Sequence, residues 1–126
     1  LNTAKDNGGI EGVTYPLIAD TTRNLSSALD ILDIEATEYN EELDQVMISG
    51  SNVTYRATYL IDETGKIFHE AVNDMPLGRN VNEFMRLIDA YTHVQTHGEV
   101  CPANWEEGKE AMSADRNSTA EYLAKN

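Results

Sequence analysis

Apolar and β-branched residues concentrate in two adjoining stretches, Ala57-Thr58-Tyr59-Leu60-Ile61 and Ile67-Phe68-His69-Glu70-Ala71-Val72. Between them Asp62-Glu63-Thr64-Gly65 supplies turn residues, so the pattern predicts a β-hairpin. The period then changes. Val81, Phe84, Met85, Ile88 and Tyr91 recur at helical spacing, while Asn82, Glu83, Arg86 and Asp89 fall on a face expected to meet water. Asn80 can cap this helix with Glu83 three residues on, and Gly98 should end it. Nearer the start, Tyr15-Pro16-Leu17-Ile18-Ala19 reads as a short buried strand with the proline near its beginning. Asp20 to Asn24 offers capping residues, and Leu25, Ala28, Leu29 and Leu32 predict a short amphipathic helix.

Three segments lack such periodicity. The first dozen residues are polar and end in Gly8-Gly9-Ile10-Glu11-Gly12, a loop signal. Asp33 to Asn52 holds six acids and no Lys or Arg, and is read as a solvated loop or insertion. From Glu99 the chain becomes an irregular tail with Cys101-Pro102 and Trp105, closing on a short helix around 120–124. Strand, helix, hairpin, helix is the order of an α/β domain with helices against a mixed sheet. One strand and a hairpin make a poor sheet, so further strands are expected from outside the sequence.

Composition removes several classes of function. The 126 residues carry a net charge of −13, which argues against nucleic-acid and anionic-membrane partners because both require clustered Lys and Arg. No apolar run approaches the roughly 20 residues of a membrane span. The polar start, Leu1 to Asp6, does not resemble a signal peptide, and the missing initiator Met points to a fragment or processed product. A single cysteine cannot form an internal disulfide. Sequons at Asn24, Asn52 and Asn117 carry little weight without a secretory signal.

Cys101 is the only soft nucleophile. A core cysteine sits within an apolar periodic segment; this one lies in a polar tail, and Pro102 pushes it towards an extended backbone. An extended, partly exposed thiol can reach a sulfur on another chain. Arg56, at the entrance to the hairpin, is either a surface cation or a guanidinium that holds a thiolate and polarises a peroxide oxygen. Arg79 follows a Pro-Leu-Gly turn and is expected to pair with a carboxylate. His93 and His97 are four apart, but no third ligand accompanies them, and no metal site is expected.

Four ordered segments resemble the AhpC/thiol-specific antioxidant family of peroxiredoxins, in particular its typical 2-Cys group. They are Tyr15 to Asp20, Arg56 to Asp62 (RATYLID), Val72 to Glu83 with its Met-Pro-Leu-Gly-Arg core, and His97 to Trp105 around the cysteine. The resemblance runs through nearly the whole chain. It implies a thioredoxin-like fold, a mixed sheet flanked by helices with an extended C-terminal tail. The domain would occupy 1–98, with an acidic insertion at 33–53, and the tail 99–126. It also implies a cofactor-free thiol peroxidase acting on hydrogen peroxide and alkyl hydroperoxides, with a thioredoxin-type reductant, as a cytoplasmic homodimer or ring of dimers. By motif match Cys101 is the resolving cysteine, Arg56 the residue that stabilises the peroxidatic thiolate, and Arg79 and Trp105 supporting residues.

The sequence departs from that pattern in three ways. The family's Pro-x-x-x-Thr/Ser-x-x-Cys segment is absent, so the peroxidatic cysteine is expected upstream; without it the chain cannot reduce peroxide, and without the central strands it should be poorly stable. The 33–53 stretch exceeds the family loop by on the order of 15 residues. The motifs linked to overoxidation are partial, reading Gly8-Gly9-Ile10-Glu11 and Tyr122-Leu123 where relatives have Gly-Gly-Leu-Gly and Tyr-Phe; intermediate sensitivity is expected. The competing readings are a non-enzymatic thioredoxin-like module, with Cys101 a redox tether or a relic, and a chaperone-like holdase.

Overall fold

The computed structural model describes residues 3–125. Two compact units divide the chain, one ending at Asn52 and the other beginning at Val53.

In the first unit a 3-10 turn at Lys5–Asn7 ends on Gly8, whose φ of 73° is the left-handed conformation glycine adopts without strain. Gly9 is needed for space, because a Cβ there would stand 1.9 Å from the Thr3 carbonyl oxygen. The strand expected at 15–19 does not form. Those residues have no regular structure, with Tyr15 66% and Ile18 83% exposed. A strand exists through its ladder, and among the described residues nothing pairs with this one. Helix α1, Asn24–Ala28, does form, started by Asp20 as its sequence suggested. The Asp20 carboxylate accepts from the Ser26 hydroxyl (2.7 Å) and from the Ser26 and Leu25 amides (2.8 and 3.2 Å), which hold its pKa below the ordinary value. The helix is shorter than its apolar spacing implied and leaves Leu29 as its cap.

The acidic stretch is solvated, yet it has regular structure. Strands β1 (Ala36–Asn40) and β2 (Gln45–Ser49) pair antiparallel, Thr37 opposite Ile48 and Tyr39 opposite Val46. Gly50 closes the base with a φ of 119°, where a Cβ would come within 2.6 Å of the Asp33 carbonyl oxygen.

The second unit is built on the predicted hairpin. Strands β3 (Arg56–Ile61) and β4 (Ile67–Asn73) pair antiparallel, with an irregularity between Leu60 and Ile61. Asp62 organises the turn, accepting from the Thr64 hydroxyl (2.6 Å) and the amides of Thr64 and Lys66. Its other oxygen accepts from the Tyr91 hydroxyl at 2.8 Å, tying the turn to helix α2 (Val81–His97). Stacking of Phe68 on Tyr91, with ring centroids 3.9 Å apart, packs the helix on the hairpin. Asn80 caps α2 by accepting from the Asn82 amide, and Gly98 ends it at φ 69°. Of the expected apolar stripe, Phe84 and Tyr91 are partly buried, but Val81, Met85 and Ile88 are exposed. Glu83 does not complete a capping box; Arg86 engages it instead. The sheets among the described residues are both antiparallel pairs, so the parallel pairing of a mixed sheet is not among them.

The Thr64 and Tyr91 hydroxyls hold the Asp62 carboxyl pKa at about 2, against an ordinary value of 3.8. A depressed folded-state pKa stabilises the fold above the ordinary value, and that contribution is lost as pH falls towards the folded one. Asp62→Asn in the natural subunit should therefore unfold at lower urea than the parent near neutral pH. The gap should narrow as the pH drops from about 5 towards 3. Urea melts across that range check it; a constant gap would assign the loss to turn geometry alone.

Candidate functional site

After α2 the chain does not trail off. Val100 and Met112 form an antiparallel bridge (2.7 and 3.1 Å), closing the intervening residues into a loop. Asp115 then caps helix α3, Arg116–Lys125, through the Asn117 and Ser118 amides, both at 2.9 Å. The helix is longer than the 120–124 expected. The tail is thus structured where its composition predicted irregularity.

The loop is seated on α2 by residues spaced 4, 3 and 4 along one face of the helix: Arg86, Ala90, His93 and His97. Trp105 is its anchor, 2% exposed, and with Ile31 one of the two buried apolar residues among those described. Its Nε1 donates to the Lys109 carbonyl (3.1 Å) and its ring lies 4.8 Å from that of His93. Arg86, expected to face water, grips Glu83 through two hydrogen bonds of 2.7 Å and donates to the Trp105 carbonyl at 2.9 Å. His93 contacts Glu99 through Nε2 (2.8 Å) and stacks on His97, whose Nδ1 donates to the His93 carbonyl.

Within this frame Cys101 is half-buried, its Sγ 3.7 Å from the Ala90 carbonyl oxygen. Burial chiefly, and the Glu99 carboxylate after it, raise the thiol pKa above its ordinary value, while Arg86 pulls the other way. At neutral pH the sulfur is a thiol. It is partly exposed, as its place before Pro102 suggested. Below it, Pro102, Asn104, Trp105, Lys109, Glu110 and Tyr122 line an open cavity of about 440 Å³. Tyr122 thus joins Trp105 in this assembly. Sequence reading overlooked Arg86, His93 and Glu99; the spacing on α2 and the Glu83–Arg86 pair were the available signals.

Arg56 and Arg79 flank the junction between the start of β3 and the turn after β4. The Arg56 Nε donates to the Met75 carbonyl and Arg79 Nη2 to the Ala57 carbonyl (3.2 Å), while Asn73 donates to Gly78 (3.1 Å). Arg79 binds a main-chain oxygen where a carboxylate was expected. Together these bonds lash the turn after β4 to the start of β3 and fix two exposed cations there. The charges acting on Cys101 are those of Glu99 and Arg86, so the structure does not join Cys101 to Arg56. Gly8 and Gly9 lie in the first unit, where their roles are the conformational ones already described.

Residues 90–125, the end of α2 and the whole tail, match the family model for the C-terminal domain of 1-Cys peroxiredoxin. Over 125 residues the chain is 40% identical to alkyl hydroperoxide reductase C of Helicobacter pylori, covering 99% of this chain and 55% of that protein. The chain carries a C-terminal peroxiredoxin domain. It spans about half the length of the curated relatives it matches. Another is the thioredoxin peroxidase of Trypanosoma brucei rhodesiense, 34% identical over 98% of this chain and 54% of its own length. Among solved structures, reduced 2-Cys peroxiredoxin from Plasmodium vivax superposes with a TM-score of 0.78, at 33% identity over 98% of this chain and 55% of that one. A mutant peroxiredoxin 6 of Arenicola marina gives 0.68 at 27% identity, over 95% of this chain and 50% of its own. The fold is thioredoxin-like, as expected. Among the described residues no helix is long and apolar enough to cross a membrane.

Proposed function

We propose that the chain is the C-terminal portion of a thiol peroxidase in which Cys101 is the resolving cysteine. The observation that carries this reading is the setting of Cys101: a half-buried thiol, its pKa raised by burial, in a loop that Trp105 and Arg86 hold on α2. A cysteine that attacks peroxide must be a thiolate of lowered pKa, which Cys101 is not. A thiol that condenses with a sulfenic acid needs access more than acidity, and a loop anchored by one tryptophan supplies access by opening.

On this reading a peroxidatic thiolate, outside the present sequence, attacks the peroxide; one oxygen stays on sulfur as sulfenic acid and the other leaves as alcohol or water. The Cys101 thiol of a partner subunit then displaces that oxygen as water and forms the intersubunit disulfide. A thioredoxin-type dithiol returns both sulfurs to thiols. The two cations at the base of the β3–β4 hairpin would favour the anionic forms, Arg56 directly and Arg79 by holding the turn. Residues 99–126 act as the resolving tail, with the partial motif at Tyr122 setting its ease of opening. The subunit works as a cytoplasmic homodimer or ring of dimers, and 33–53 is an insertion. Names of relatives such as thioredoxin peroxidase and 2-Cys peroxiredoxin support the assignment.

The test is the intact mass of the natural subunit after one equivalent of hydrogen peroxide, with and without reductant. A reducible doubling of mass, mapped to Cys101 and a second, different cysteine, is the expected result. A subunit that stays monomeric, or yields only slow Cys101–Cys101 dimers, would leave the chain a non-enzymatic thioredoxin-like module.

A further inference from the structure

Side chains along a strand alternate between its two faces, so the pairing of β1 with β2 sorts the hairpin into unlike sides. Glu38, Met47, Asn40 and Gln45 lie on one. Thr37, Tyr39, Val46 and Ile48 lie on the other, where Tyr39 is 60%, Val46 61% and Ile48 51% exposed. Tyr39 is held in place by its hydroxyl, which donates to the Asp44 carboxylate. A two-stranded hairpin is marginal in water unless its apolar face packs on something, and a contiguous exposed apolar patch marks a binding surface.

We propose that this face is a docking surface for a short extended segment of another protein, with apolar residues at alternate positions and Lys or Arg between them. Its charge selects that occupant. Glu41, Glu42 and Asp44 crowd the turn between the two strands, and no basic residue occurs from Asp33 to Asn52. Leu43, 58% exposed at the turn, lies between Glu42 and Asp44. A second copy of the chain would set these carboxylates against one another, and like charges at an interface oppose pairing. A basic segment neutralises them while its apolar residues cover Tyr39, Val46 and Ile48. Strands of five residues span about 17 Å, so they accept an extended segment of roughly that length.

The natural subunit is titrated against a fluorescein-labelled twelve-residue peptide of alternating lysine and valine, read by fluorescence anisotropy. A glutamate–valine peptide serves as control. The lysine peptide should bind and the glutamate peptide should not. Val46→Thr with Ile48→Thr, which keeps β-branched residues at both exposed positions, should weaken binding roughly tenfold. Glu41→Gln with Glu42→Gln should weaken it independently, and added salt should do the same because exposed charges are screened. No binding, or equal binding by the threonine variant, overturns the proposal. So does sedimentation showing that the threonine variant forms a lighter oligomer, since a second copy would then be the occupant.

Discussion

Trp105→Ala should release the Cys101 loop from α2 and raise the alkylation rate of Cys101 in the reduced natural subunit on the order of 100-fold. The indole is 2% exposed and fills the space between the loop and the helix. Removing a buried tryptophan side chain costs about 3–5 kcal/mol, and the loop has little else apolar to hold it. The variant also loses the Nε1 bond to the Lys109 carbonyl and the contact with the His93 ring. Because burial is the chief cause of the raised Cys101 pKa, the pH midpoint of alkylation should fall towards the ordinary thiol value. Faster amide exchange at Val100 and Met112, the bridge residues, would confirm that the whole loop opens. Trp105→Phe, which keeps a ring but no donor, should fall between. An unchanged rate would show that the loop is held elsewhere.

Arg86→Gln should have the next largest effect, an increase in Cys101 alkylation of about tenfold when read at a pH high enough to ionise the thiol, since the loss of Arg86 also removes a charge that lowers the Cys101 pKa. Arg86 spans two groups that would otherwise be unconnected, the Glu83 carboxylate on its own helix and the Trp105 carbonyl in the loop. A planar guanidinium can serve both at once; glutamine cannot, and lysine has charge without the fork. Arg86→Lys should therefore restore only part of the parental rate. The pair is partly solvated, with side-chain exposures of 25% and 44%, so its Coulomb energy alone would contribute little; the bond to Trp105 is expected to matter more. If Arg86→Gln leaves the rate unchanged, Trp105 holds the loop without it.

Much of this fold could be read from the order of residues. The β3–β4 hairpin, the α2 helix with its Asn80 cap and Gly98 stop, and the initiation of α1 by Asp20 all follow from local rules. Each depends on neighbours within a few residues: Asp62 on Thr64 and Lys66, Asn80 on Asn82, Gly98 on Val94. The β1–β2 hairpin was also written locally, in the alternation of Thr37, Tyr39, Val46 and Ile48. Six acids masked it, since charge count and strand periodicity are separate signals and the first was given precedence.

What only the tertiary structure decided are the contacts between distant residues. No local rule places the Trp105 carbonyl beside Arg86, 19 residues earlier, or the Cys101 sulfur beside Ala90. Those contacts required the loop to fold back, and they half-bury the cysteine and raise its pKa above the ordinary thiol value. The opposite case is Tyr15 to Ala19, whose composition marks a strand. A strand needs a partner, and here the sequence could supply the residues but not the ladder. Cys101's identity as the single thiol was settled by sequence alone; the upward direction of its pKa shift follows from what lies around it.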